Sequence, residues 1–229
     1  MTPARVIDTQ RLSTLAHAYE REIVQFVRDL IAIPAIQRIR QEMEKVEFEE
    51  IRSDATGNIL GRVGCGKHVI MMSAHAGPVG AAGLAGTVYA AKLIHELGMY
   101  DDFILWVAGS VRREDRDPRE GGIRPDCLLI AEPTNLCIQM REAALDESLS
   151  ESHPLVQAAI ATYETLFELP PIIGKRTSGA GAIGVPAISF GPGEEAHASG
   201  EQVPTRHLLK AAQFYAAFPM TLVDTVRRR

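Results

Sequence analysis

The sequence predicts an α/β fold, a three-layer sandwich in which a largely parallel, mixed sheet carries helices on both faces. Short apolar runs at residues 69–72 and 127–130 have the continuous hydrophobicity of buried strands. Longer stretches with helical spacing of apolar residues alternate with these runs, which is typical of parallel sheets. The 229 residues fit one domain, and we expect a single unit spanning residues 1–229.

The first predicted helix spans residues 9–33, because Leu12, Tyr19 and Phe26 belong to an apolar stripe and Pro34 ends it. The helices predicted after it are 36–46, 83–97, 153–167 and 205–218, and the strands are 48–52, 58–63, 68–73, 103–108, 127–130 and 186–190. Residues 135–152 are polar and acidic, and they are interpreted as a linker or an exposed helix.

Composition excludes several classes of function. A net charge of −5 and a pI near 5.8 give no broad electrostatic reason to bind nucleic acid or an anionic membrane surface. No uncharged apolar run is long enough to cross a bilayer, and the first residues lack the apolar core of a signal peptide. Cys65, Cys127 and Cys137 form no CxxC pair, which favours free thiols and a cytoplasmic location.

Candidate metal ligands follow the predicted strands. His75 comes after the run that ends at Ser73, Glu114 after the run that ends near Val107, and Glu132 after Ile130. His197 lies in the glycine-rich stretch 191–204 that follows the last strand. Sites in open α/β sheets form where strands end, and zinc takes nitrogen and oxygen ligands. His75 could instead be a hydrogen-bonded strand-end histidine, and Glu132 could accept backbone N–H bonds.

Several segments together resemble the zinc metallopeptidase family of aminoacylase, acetylornithine deacetylase and succinyl-diaminopimelate desuccinylase. They include HVIMMSAHAGPVG, LWVAGSVRRED, IRPDCLLIAEPTNL and GVPAISFGPGEEAHASGEQVP, in the family's order. The branch they are most similar to is that of YgeY-like, selenium-metabolism hydrolases. The resemblance implies the catalytic domain of a two-zinc amidohydrolase. It assigns His75 and Glu132 to the first zinc and Glu114 and His197 to the second.

Other positions depart from the family pattern. Gly77 stands where the family has an aspartate that steers the zinc-bound histidine, and the loop with the bridging aspartate is missing before AAGLAG. Arg113 occupies the position of the general base, and an arginine stays protonated at neutral pH. The family's inserted lid has no room in the short linker 135–152. These departures predict a degenerate, inactive hydrolase, either a natural pseudoenzyme or a loop-trimmed scaffold.

Two other functions stay open at this point. The chain could be a binding or assembly module, with the apolar positions of residues 136–149 as a cover or a contact, and a homo-oligomer is then expected. It could also be a single-metal amidohydrolase that uses His75 and Glu132 with Asp115 or Glu195. The substrate expected for a hydrolase of this family is a small N-acyl amino acid or peptide.

Overall fold

The computed structural model describes residues 6–32, 36–54, 57–110, 122–141, 149–176, 184–194 and 203–228, and it confirms the predicted α/β class. The helices are α1 Thr9–Ala18, α2 Glu20–Ala32, α3 Ile36–Lys45, α4 Ala81–Leu97, α5 Pro154–Phe167 and α6 Thr205–Arg227. The strands are β1 Glu50–Ser53, β2 Ile59–Val63, β3 His68–His75, β4 Phe103–Ser110, β5 Cys127–Ile130, β6 Ile138–Arg141, β7 Ile173–Arg176 and β8 Ala187–Ser189.

The eight strands form one mixed sheet in the order β1-β2-β4-β3-β5-β8-β6-β7. Its centre is parallel, since β4, β3, β5 and β8 all run in the same direction. At one side β2 pairs antiparallel with β4, and at the other β6 pairs antiparallel with β8. The mixed sheet is as the sequence predicts, and the carboxyl ends of β3, β4, β5 and β8 meet at one edge.

The two faces of the sheet are covered differently. The buried apolar residues of all six helices belong to one large core cluster, together with Ile70, Leu105 and Leu129 from the central strands. The opposite face holds a smaller cluster around Met71 and Trp106, whose described members come from strands and connecting segments. The sequence predicts helices on both faces of the sheet. Among the described residues, the helices pack against one face.

The N-terminal helix is divided, which the sequence pattern did not indicate. α1 ends at Ala18 and α2 begins at Glu20, with Tyr19 between them as the cap of α1. The apolar stripe nevertheless continues across the break, since Leu12, Phe26 and Leu30 are all fully buried. Neither glycine nor proline marks this break.

The segment predicted as a linker contains a strand. β6 lies inside residues 135–152 and pairs with both β8 and β7, so this part of the chain belongs to the sheet. The prediction of a linker or exposed helix is wrong for residues 138–141, because Ile138 and Met140 pack in the core cluster. β7, the edge strand, was not predicted either. In the part of the chain that the structure describes, no helix is long and apolar enough to cross a membrane.

Candidate functional site

His75 lies at the end of β3 with its ring in a fixed orientation. Its Nδ1 is 3.0 Å from the carbonyl oxygen of Ser110, the last residue of β4, and that oxygen also accepts the Ala76 N–H at 2.7 Å. A carbonyl can only accept, so Nδ1 carries a proton. In the neutral ring Nε2 then holds the lone pair that a metal or a proton would use. The orientation that the family obtains from an aspartate is supplied here by a backbone carbonyl.

The turn after β3 is packed so closely on His75 that glycines are required. A Cβ at Gly77 would lie 2.7 Å from Nε2 of His75, and a Cβ at Gly80 would lie 2.1 Å from its carbonyl oxygen. The second contact is with backbone, which cannot move aside. At Gly77, where the family has its steering aspartate, a side chain would require the His75 ring to move.

Glu132 lies just beyond β5, beside the end of β3. The Ala131 N–H donates to the Ser73 carbonyl at 2.7 Å, which extends the alignment of the two strands past their last registered pair. His75 and Glu132 each come two residues after that pair, Ser73 and Ile130. The two residues that the resemblance assigns to the first zinc thus follow the ends of adjacent parallel strands.

The Glu132 carboxylate is engaged by two guanidinium groups. Its Oε1 is 2.9 Å from Nη2 of Arg141 and 3.5 Å from Nη1 of Arg176. These two arginines are register partners on the neighbouring strands β6 and β7. Oε1 is buried and has no aligned hydrogen-bond donor among the described residues, so the contacts act as ion pairs. The Arg141 side chain is 3% exposed, compared with 24% for Glu132 and 27% for Arg176.

The loop that carries Glu132 is held by a second loop, residues 191–194. The Gly191 N–H donates to Oγ1 of Thr134 at 3.0 Å, and Oγ1 donates to the Cys137 carbonyl at 2.7 Å. The Asn135 N–H donates to the Gly193 carbonyl at 2.6 Å. A Cβ at Gly191 would lie 2.3 Å from the Glu132 carbonyl oxygen, which explains the glycine there.

Tyr215 of α6 lies beneath these loops. Its hydroxyl donates to the Phe190 carbonyl at 2.7 Å. Burial raises the pKa of Tyr215 well above its usual value, and the charge of Glu132 adds to the rise. The phenol therefore stays neutral and serves to hold the backbone that leads into the 191–194 loop.

The structure describes only part of the predicted ligand set. His75 and Glu132 are described and follow adjacent strands. Glu114 and His197 lie outside the described residues. So do three further predicted positions, Arg113, Asp115 and Glu195. Sequence reasoning missed Arg141 and Arg176, because one lies in the presumed linker and the other on a strand that was not predicted.

The described residues include only two of the four ligands predicted for a two-zinc centre. Within the described ranges, no group of three or more His, Cys, Asp or Glu side chains could hold a metal ion. One of the two described candidates, Glu132, already faces a guanidinium at 2.9 Å. A divalent cation at the same oxygen would be repelled by that fixed positive charge. An imidazole alone then remains as a described ligand, and a catalytic zinc normally has about three.

Comparisons with known proteins place the fold among peptidases. No protein-family model matches the chain. The uncharacterized protein YgeY of Escherichia coli K12 is 32% identical over 164 residues, which cover 52% of this chain and 41% of YgeY. Among solved structures, LapA aminopeptidase of Legionella pneumophila has a TM-score of 0.70 at 9% identity, covering 97% of this chain and 77% of LapA. YxeP of Bacillus subtilis, described as a dinuclear metal-binding peptidase of the M20 family, has a TM-score of 0.70 at 11% identity, covering 91% of this chain and 99% of YxeP.

These similarities support a coarse assignment. The chain has the α/β fold of peptidase catalytic domains, since the solved structures share its architecture at identities too low to indicate more. The match to YgeY shows sequence similarity over about half of this chain. The chain spans about two fifths of the length of the curated relatives it matches.

Proposed function

We propose that the chain is a degenerate member of the aminoacylase and deacetylase group of metallopeptidases, which keeps the fold without the two-zinc hydrolysis. The observation that supports this proposal is the ion pair at Glu132. The carboxylate that would bind the first zinc lies 2.9 Å from the buried guanidinium of Arg141. A carboxylate neutralised in this way is a poor ligand for a further cation.

The sequence supports the same proposal at the catalytic base. Metal-assisted amide hydrolysis needs a group that takes a proton from the attacking water. The corresponding position is Arg113, whose guanidinium is protonated at any physiological pH. The loop that carries the family's bridging aspartate is also missing from the sequence. The corresponding positions therefore offer neither a general base for the attacking water nor a shared ligand for two metals. The proposed setting is the cytoplasm, without a nucleic-acid or membrane-surface partner.

Metal titration combined with an activity assay tests this proposal. The protein is stripped with a chelator, titrated with zinc by calorimetry, and incubated at high concentration with N-acyl amino acids and dipeptides. We expect no tight zinc binding and no cleavage. Zinc-dependent cleavage that is lost in His75→Ala, but kept in the exposed control His17→Ala on α1, would overturn the proposal.

A second candidate function is self-assembly, and the edge of the sheet favours it. β7 is the terminal strand, and among the described residues it pairs with β6 alone. Leu169 and Ile172, just before it, are 61% and 71% exposed. Exposed edge strands with apolar flanks readily pair with a further chain. Leu136 and Leu149, by contrast, are buried within the chain and belong to the large core cluster.

Light scattering after size exclusion measures this second function. We expect a homodimer that dissociates when Ile172 is replaced by lysine. A monomer at concentrations of about 100 μM, or a dimer unaffected by Ile172→Lys, would exclude assembly through this edge.

A further inference from the structure

We infer that Arg141 is a built-in cation for Glu132, which takes over the charge-neutralising role that a zinc ion has in the family. The disagreement between the ion pair and a metal centre is then a replacement of one cation by another at Glu132. Nη2 of Arg141 lies 2.9 Å from Oε1, which is the distance of a direct ion pair. This inference deepens the proposed function and rests on it only for the identity of position 132.

The burial of Arg141 strengthens the case for this contact. Ile138 and Met140 of β6 point into the large core cluster. Side chains alternate along a strand, so Arg141 lies on the opposite face of the sheet, together with Gln139. There the Arg141 side chain is 3% exposed. A guanidinium withdrawn from water to that extent is strongly unfavourable without an anion, and Glu132 supplies the anion at contact distance.

A tethered guanidinium also has an advantage over a free ion. Arg141 is fixed by the pairing of β6 with β8 and β7, so folding itself brings the cation to Glu132. Arg176, its register partner on β7, adds a second positive charge 3.5 Å from the same oxygen. A divalent cation would have to displace one guanidinium and approach the other. The fold therefore acquires the neutralising charge without dependence on metal supply.

A double-mutant cycle between Glu132→Gln and Arg141→Met tests the inference by thermal unfolding. Each single change removes one half of this ion pair, and we expect a fall in Tm of roughly 6–15 °C for Arg141→Met. The double variant, with both charges removed, should lose several degrees less than the sum of the two single variants. We also expect that neither zinc nor a chelator changes the Tm of the unaltered protein.

The matched control is the pair Glu49→Gln and Arg62→Met at the other side of the sheet. Arg62 Nη1 lies 3.1 Å from Oε2 of Glu49, but the side chains are 26% and 33% exposed. A pair of this exposure should show small effects and a coupling near zero. Equal coupling in the two cycles would mean that the Glu132 pair is an ordinary surface contact, and would overturn the inference.

The outcomes separate the inference from the proposed function. If Arg141→Met and the double variant both fail to fold, Arg141→Lys decides, because it keeps a cation and should melt within a few degrees of the unaltered protein. A lysine variant as unstable as the methionine variant would show that packing alone holds Arg141. If Glu132→Gln and Arg141→Met show no coupling, the inference that Arg141 replaces zinc is wrong, even if the protein hydrolyses none of the substrates. If the protein cleaves a substrate in the presence of zinc and the two changes are still coupled, only the proposed function is wrong.

Discussion

Glu42 and Glu132 are both held against arginine side chains, but in different parts of the molecule. Glu42 lies in α3, 2% exposed, and it accepts hydrogen bonds from the Tyr89 hydroxyl and from Lys45 at 3.1 Å. Arg38 lies 2.7 Å from its second oxygen. Glu132 lies at a strand end, is partly exposed, and meets two guanidinium groups from strands. Glu42 is enclosed by partners on helices, whereas Glu132 lies where this class of fold places its chemistry.

The two carboxylates differ in what their contacts hold together. Burial raises the pKa of Glu42, but the hydrogen bonds from Tyr89, Arg38 and Lys45 outweigh it, and the pKa is lowered overall. The donors to Glu42 lie on α3 itself or on α4, so their contacts with Glu42 stabilise the packing of these helices. The Glu132 contacts instead tie a loop at the edge of the sheet to strands β6 and β7.

The largest expected effect is that of Glu42→Leu. The change leaves the buried Tyr89 hydroxyl and Arg38 without their main acceptor, and we expect a loss of about 3–5 kcal/mol in the free energy of unfolding. Urea denaturation measures it. Asp29→Asn, which removes only the more exposed partner of Arg38, is the control and should cost about 1 kcal/mol or less. Similar losses for the two variants would mean that Glu42 has no special structural role.

A substitution that alters backbone packing should destabilise the region around Glu132 without changing any charge. A Cβ at Gly83 in α4 would lie 2.1 Å from the carbonyl oxygen of Ala131. Gly83→Ala must therefore push α4 away from the end of β5, and we expect a loss of about 1–3 kcal/mol in unfolding free energy. The region around Glu42 should be unaffected. The losses in unfolding free energy from Gly83→Ala and Glu42→Leu should therefore be additive within about 0.5 kcal/mol. Strong coupling between these two changes would contradict the separation of the two regions.

Low pH should reduce the contribution of Glu42 to the stability of the fold. The pKa of Glu42 is lower in the folded chain than its usual 4.5, so its contribution is complete above that value and is lost as pH falls through the folded pKa. The difference in Tm between the unaltered protein and Glu42→Gln should therefore be constant from about pH 6 to 8 and shrink below about pH 4. A constant difference down to pH 3 would contradict this.

The smallest effect is expected for Arg176→Met. Arg176 is 27% exposed and 3.5 Å from Glu132, so the loss should be about 1 kcal/mol or less. At 1 M salt, where the Debye length is about 3 Å, the effect of this exposed contact should largely disappear. Arg141→Met, measured alongside by urea denaturation, should keep most of its effect at high salt. An equal response of the two variants to salt would show that burial does not distinguish the two arginines.

Much of the central fold could be predicted because its strands are buried on both faces. The run 127–130 has no polar residue, and β5 has the bounds that the sequence predicts. β6 could not be predicted, since it has four residues, two of them polar, in an acidic neighbourhood. His75 and Glu132 were predicted as ligands because functional groups in such sheets follow strands, and their role as ligands stays a prediction. Arg141 was not found, because its pairing with Glu132 depends on a strand that gives no pattern of its own.

The contacts between Thr134 and Gly191 have a consequence for how the chain opens. Residues 134–137 and 191–193 exchange hydrogen bonds in both directions across more than fifty positions of sequence. Neither loop can leave the sheet without breaking the bonds of the other, so the two form one cooperative unit in amide hydrogen exchange. We therefore expect the amides of both loops to exchange with one shared opening free energy.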